Sequence, residues 1–313
     1  MAARLESGSR EEAVAGAAAP SAAGLDGLPA LVAAALSFGI MALSVRIASE
    51  SMPGPQIAFV RFTGSFLLLL ALAGREALIP REAAYRRLVV RGILGACGIT
   101  LQFVAISLAG ASTATMLHGT YPIWTGLLAV PILGERMTAR TAAALAVAVI
   151  GVAIVVGPHA GPSPNLVSGA VAGLSGSCFA AGAIIAARHL RRIESASLIT
   201  TWFMAVGTVL TAPALLFGLP PLSARLLAAL AVTIVSSLSG QWLMHQALGR
   251  VEAARAGLVL MGNVVAATLL EALWYAEPVP LHRVLGGAVV VAAVWLSTSA
   301  PASGASIDGE EAS

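Results

Sequence analysis

The sequence predicts an all-α integral membrane protein of ten transmembrane helices, built as two inverted five-helix repeats. Three observations carry that fold class. The chain is 58% hydrophobic and 11% charged, with a mean hydropathy of +0.89, whereas a soluble globular domain is about a quarter charged. Apolar stretches near the ~20 residues that cross a hydrocarbon core recur about ten times. Finally, Gly98–Val156 overlies Gly240–Thr298 at a constant offset of 142 residues without a gap.

In chain order, residues 1–28 are Ala-, Gly- and Ser-rich and contain Glu6, Glu11, Glu12 and Asp26. With those acidic residues they do not read as a cleavable signal, and they read as a disordered cytoplasmic tail. Repeat 1 follows over 29–157, with spans near 29–49, 56–74, 88–108, 112–133 and 140–157. A turn-rich linker, 158–165, begins in Gly157-Pro158-His159-Ala160-Gly161-Pro162. Repeat 2 occupies 166–299, with spans near 166–187, 197–218, 225–246, 254–274 and 281–299, and a polar, acidic tail at 300–313 is expected in the cytoplasm.

Within the overlay, Phe103–Ile106 falls on His245–Leu248, Gly134-Glu135-Arg136 on Ala276-Glu277-Pro278, and Ala144–Ala146 on Gly286–Ala288. Identity is low, yet loop charge alternates between the copies. The turn Ser107–Ser112 is uncharged where its counterpart holds Arg250 and Glu252, with Arg255 beside it, while Arg136 and Arg140 face Pro278 and His282. Lys and Arg mark the cytoplasmic side, so the copies lie in opposite orientations. With the N-terminus inside, twelve arginines fall in cytoplasmic loops (Arg75, Arg81, Arg86, Arg87 and Arg91 among them) against Arg225 and Arg283 outside. Both termini are therefore expected in the cytoplasm. All 18 basic residues are arginine, which with the abundance of Ala and Gly points to a GC-rich bacterial genome, and a bacterial inner membrane is the expected location. These charges form no surface stripe, so nucleic acid is not an expected partner.

The segments Pro53-Gly54-Pro55 and Ala58-Phe59-Val60-Arg61-Phe62, the run 111–140 with Tyr121-Pro122 midway and Gly134-Glu135-Arg136 at its end, and the closing Ala247-Leu248 and Ala276-Glu277-Pro278 resemble the EamA-type proteins of the drug/metabolite transporter superfamily. The resemblance covers roughly 29–299. It implies a ten-helix exporter or exchanger of small metabolites with a central cavity between the halves. The chain departs from the family pattern at Val264, which stands where a proline opposite Pro122 is common. It also lacks the membrane-embedded glutamate near the start of the first span that proton-coupled small multidrug exporters use.

Pro122 removes a helix hydrogen bond, so the fourth span should bend there. Thr115, His118, Tyr121 and Thr125 recur at three- and four-residue spacing on one face of that bend, and so many polar groups should turn away from lipid. His118 reads either as a solute partner or as a histidine bonded to a neighbouring helix. Trp124, with Tyr121, Trp202 and Trp242, would suit a small aromatic pocket. Asn263 holds the repeat position of Tyr121 and reads as a cavity group or as interhelical glue. Ser237, Gln241 and His245 recur every fourth residue in the eighth span, His245 near its wet end, and Thr100 and Gln102 form a thinner stripe in the third.

Arg61 lies well inside the second span, where a guanidinium costs roughly 2.5–3.5 kcal/mol on insertion scales. It is expected to snorkel, to pair with an acid such as Glu50, or to clamp an anionic solute. Arg46 reads as an interfacial anchor, and Glu271 as a coupling carboxylate or a headgroup contact. Glu135 and Glu277 end matching spans at the two opposite faces and read as gating residues or structural caps. The glycine sets 92/95/98 and 169/173/176 should let helices approach closely. No phosphate loop, nucleophile elbow or clustered metal ligands appear, so neither an enzyme nor a bound cofactor is expected. The partners implied are a small-molecule solute (an amino acid, purine or similar), the lipid bilayer and a coupling ion or counter-solute, with a homodimer open.

Overall fold

Long runs of Ala, Leu, Val and Ile form helices wherever polar breaks do not interrupt them, and the computed structural model is all-α over the residues it describes. These are 27–73, 79–80, 84–109, 114, 117–134, 138–156, 166–276 and 281–298. The helices are α1 Leu28–Ser49, α2 Gly54–Ala73, α3 Tyr85–Ala109, α4 Tyr121–Leu133, α5 Ala139–Val156, α6 Leu166–Leu190, α7 Ala196–Thr211 with a 3-10 continuation Ala212–Phe217, α8 Ala224–Ala247, α9 Ala253–Leu260, α10 Gly262–Trp274 and α11 Leu281–Thr298. Among the described residues, seven spans are long and apolar enough to cross a membrane, and three shorter apolar helices accompany them.

Local chemistry sets the ends. Ser195 and Ser223 cap α7 and α8, their Oγ atoms accepting the backbone N–H of Leu198 and Leu226 at 3.2 Å, which satisfies a donor that the helix cannot. Pro29 and Pro122 sit in the first turns of α1 and α4, where a missing N–H costs nothing. Gly134 closes α4 at φ 67°, a left-handed conformation glycine adopts without a Cβ penalty.

Two spans depart from the expected single helix. In the fourth, Leu117 and His118 are helical, Gly119 and Thr120 form a turn, and α4 starts anew at Tyr121. In the ninth, Met261 separates α9 from α10. Met261 stands 142 residues after Gly119, so both breaks occupy one repeat position. Pro122 thus opens a second half-helix instead of bending a continuous one. The ninth span breaks without the family's proline, since Val264 lies inside the new helix α10.

Packing follows the repeat. α3 packs on α6 as α8 packs on α1; α6 on α4 as α1 on α10; α3 on α7 as α8 on α2. The contacts α2–α7, α4–α9 and α5–α11 map onto themselves when the repeats are exchanged. That closed set is the signature of a pseudo-twofold axis. Gly98 and Gly176 bring α3 and α6 backbone to backbone: a Cβ on Gly98 would lie 3.2 Å from the Gly176 oxygen. Leu67, Leu72, Val167, Leu216, Phe217 and Leu273 are exposed on the outside of the bundle, where lipid rather than water suits them.

Candidate functional site

The two broken spans cross where they break. The Tyr121 hydroxyl donates to the Gly257 carbonyl at 3.1 Å, one turn before Met261, and a Cβ on Gly257 would sit 3.5 Å from Pro122. That carbonyl also receives a long 3.3 Å bond from the Met261 N–H. Thr120 Oγ1 lies 3.0 Å from Ser177 Oγ of α6, and Thr125 turns back to the Tyr121 carbonyl at 2.9 Å.

Beside this crossing lies a cavity of roughly 100 Å³, lined by groups from both repeats. Four residues that the pattern singles out meet in its wall: His118, Tyr121, Asn263 and Gln241, with Gln102 joining them. The His118 ring lies 5.6 Å from that of Tyr121, centre to centre, and its Nδ1 is buried without a hydrogen-bond partner. Thr115 lies outside the described residues. Trp124 corrects an expectation: it is 37% exposed on the outer side of α4 and is not part of the cavity wall. The inward stripe continues instead through Thr125, four residues after Tyr121 and 0% exposed. Trp242 likewise lies elsewhere, in a hollow with Arg191 and Arg250, and Trp202 packs edge-on against Tyr85.

The polar stripe of α8 has a definite task. Ser237 accepts a short hydrogen bond from Arg61 Nε. Gln241 Oε1 lies 3.5 Å from Arg91 Nη2, and His245 Nε2 lies 3.0 Å from the same nitrogen. Thr200 donates its hydroxyl proton to the Ala196 carbonyl at 2.8 Å, so its 2.7 Å contact with His245 Nδ1 is an N–H donated by the imidazole. That network assigns His245 the Nδ1–H tautomer, leaving Nε2 to accept from Arg91.

Arg61 is therefore neither snorkelling nor paired with Glu50. It is 0% exposed and stacks over Phe62 at 4.8 Å and Phe203 at 6.0 Å. It lies behind the cavity wall, not in it. His245, expected near water, is 0% exposed. Arg91 is the residue that pattern reading misplaces. Counted as a loop charge, it sits inside α3, 2% exposed, 4.4 Å from the Phe203 ring centre and in the cavity wall. The signal was present in α8, where three acceptors on one stripe imply donors facing them.

Toward one rim, Arg46 pairs with Glu271 at 2.9 Å and stacks over Tyr275 at 4.5 Å. Tyr275 donates to Glu50 at 3.0 Å, and Arg225 reaches Glu50 at 3.1 Å. Partial burial, then the bond to Glu50, pushes the Tyr275 phenol above its ordinary value. Glu271 is thus engaged by Arg46 and is absent from the cavity wall. At the other rim, Arg191 Nε donates to the His245 carbonyl at 2.8 Å, and burial, then Arg250, holds its guanidinium below the ordinary value. Among the described residues no group of His, Cys, Asp and Glu could hold a metal ion.

A broken-helix cavity on a pseudo-twofold axis is where inverted-repeat carriers bind solute. The model of the EamA-like transporter family matches residues 25–157 and again residues 167–299. The chain belongs to the EamA-like transporter family. Pseudopaline exporters CntI from two strains of Pseudomonas aeruginosa are 31% identical to this EamA protein over 182 residues, 58% of this chain and 63% of theirs. The alignment therefore spans less than two thirds of the exporters' length. An uncharacterized transporter of Archaeoglobus fulgidus is 23% identical over 273 residues, 87% of this EamA protein and 96% of the relative. A solved crystal structure superposes with a TM-score of 0.73 at 20% identity, covering 87% of the EamA chain and 95% of its own; that likeness concerns the fold.

Proposed function

We propose that this EamA protein is a secondary-active transporter that exports or exchanges a small metabolite, of the size of an amino acid or purine, by alternating access between its two repeats. The observation that carries the reading is the cavity at the crossing of the two broken spans, walled by polar groups from both repeats: His118 and Tyr121 from one, Gln241 and Asn263 from the other. A wall shared by two bodies changes when they rock, which is what alternating access requires. The exporter names of the Pseudomonas relatives support an outward direction. We place the protein in a bacterial inner membrane, and the arginine distribution supports both termini in the cytoplasm; with Arg91 withdrawn from the loops the bias is still eleven against two. A coupling ion or counter-solute completes the cycle.

The test is untargeted metabolite profiling of the medium around cells that express the chain, against empty-vector cells. A solute enriched outside only with the chain supports export and names the solute. No difference in either direction, in medium or in cell extract, would favour a structural or enzymatic membrane protein.

A further inference from the structure

Arg91 and Arg61 share the ring of Phe203 and are both fully buried, yet none of the described residues supplies either with a carboxylate. Their partners are neutral: the Ser237 hydroxyl for Arg61, and the Gln241 amide and the His245 imidazole for Arg91. Four buried guanidinium nitrogens have no hydrogen-bond partner at all, Nη1 and Nη2 of Arg61 and Nε and Nη1 of Arg91. A buried cation held only by neutral acceptors is a poor structural device, because its charge stays uncompensated. It is a good receptor for an anion, since a guanidinium offers carboxylate and phosphate two parallel donors. Arg91 lines the cavity and carries two of these unpaired donors, Nε and Nη1. Tyr121 and Asn263, beside the turns that interrupt the two spans, line the same wall.

We propose that the cavity takes a solute bearing an oxyanion, a carboxylate or a phosphate, which Arg91 grips directly while Arg61 adds positive field from behind the wall. The inference rests on the transporter reading above. Gln102, Gln241, His118 and Asn263 then face the uncharged polar part of the solute, and Phe38, Met41 and Ile99 supply the apolar walls. Arg91 is a binding residue. Arg61, which does not line the cavity, is a positioning and field residue.

The experiment extends the medium profiling to three variants at equal membrane abundance: Arg91→Gln, Arg91→Lys and Gln241→Glu. The last is chosen because Gln241 Oε1 already lies 3.5 Å from Arg91, so a carboxylate there supplies an internal counter-ion that competes with the solute's own. The expected result is that the solutes enriched by the unmodified chain carry a carboxylate or phosphate ionised at neutral pH, whatever their net charge. Their export should fall at least tenfold in Arg91→Gln, recover in part in Arg91→Lys, and fall at least tenfold in Gln241→Glu while that variant unfolds at a higher temperature than the parent. The exported structures tell carboxylate from phosphate. Enrichment of solutes that lack an ionised carboxylate or phosphate, or of oxyanion-bearing solutes whose export Gln241→Glu leaves unchanged, overturns the oxyanion site and leaves the transporter reading standing. No solute dependent on the chain removes the transporter reading, and this one with it.

Discussion

At the scale of single residues, the energetics turn on two buried arginines. A hydrogen bond to a charged group contributes about 1.5–3 kcal/mol, so Ser237→Ala, which removes the acceptor of Arg61 Nε, should lower stability by about that much. A chemical unfolding midpoint equal to the parent's would show that Arg61 does not depend on Ser237. His118→Ala and Tyr121→Phe should each cut transport severalfold while folded protein stays in the membrane. Tyr121→Phe is the sharper variant, because it removes only the hydroxyl that bonds the Gly257 carbonyl; parental transport rates in both would remove the fourth span from the site. Much of the cavity wall was legible in the sequence, because Tyr121, His118, Gln241 and Asn263 are polar groups in apolar helices, and lipid forces such groups inward. Arg91 was not, because an arginine six residues into a helix looks the same in sequence whether it snorkels outward or turns in. Only the facing helix decides, and α8 is about 150 residues away in the chain.

At the scale of elements, apolar length located eight of the ten spans to within three residues. The fourth and ninth escaped because a break occupies one or two residues and leaves the apolar run intact. Proline was an incomplete guide: Pro122 marks one break, while Met261 breaks its counterpart with no proline and is accommodated by the tyrosine that crosses it. Helix contacts can be tested by glycines of contrasting surroundings. A Cβ on Gly54 would lie 2.7 Å from the Phe103 carbonyl oxygen, a backbone atom that cannot rotate away, whereas one on Gly257 meets Pro122 at an ordinary 3.5 Å. Gly54→Ala should therefore cost about 1–3 kcal/mol, the usual penalty of overpacking, and Gly257→Ala little. Thermal unfolding of the two purified variants side by side checks this, and equal melting temperatures would refute it.

At the scale of the whole molecule, the two repeats interlock. α1 packs on α8 and α10, and α6 on α3 and α4, so each half completes the other's interior. The sequence revealed this architecture through its offset and alternating loop charge, both of which survive low identity. It did not reveal which pairs touch, since that depends on how the halves face one another. The topology yields a direct test: a cysteine at Leu219, beyond the end of α7, should react with an impermeant reagent added outside intact cells, and one at Ser195 should not. The opposite labelling would invert the orientation.

The order of synthesis gives the arginines a further consequence. Arg61 finds its acceptor 176 residues later in the chain, and Arg91 finds its two 150 and 154 residues later. At roughly 5–20 residues per second, the ribosome needs about ten to thirty seconds to make up that distance. During this interval α2 and α3 each carry a guanidinium that costs roughly 2.5–3.5 kcal/mol in the bilayer centre. The newborn first half is thus unfit for lipid until α8 emerges, and its safe keeping falls to the insertion machinery. Cells that make the first repeat alone should degrade it, however apolar its helices.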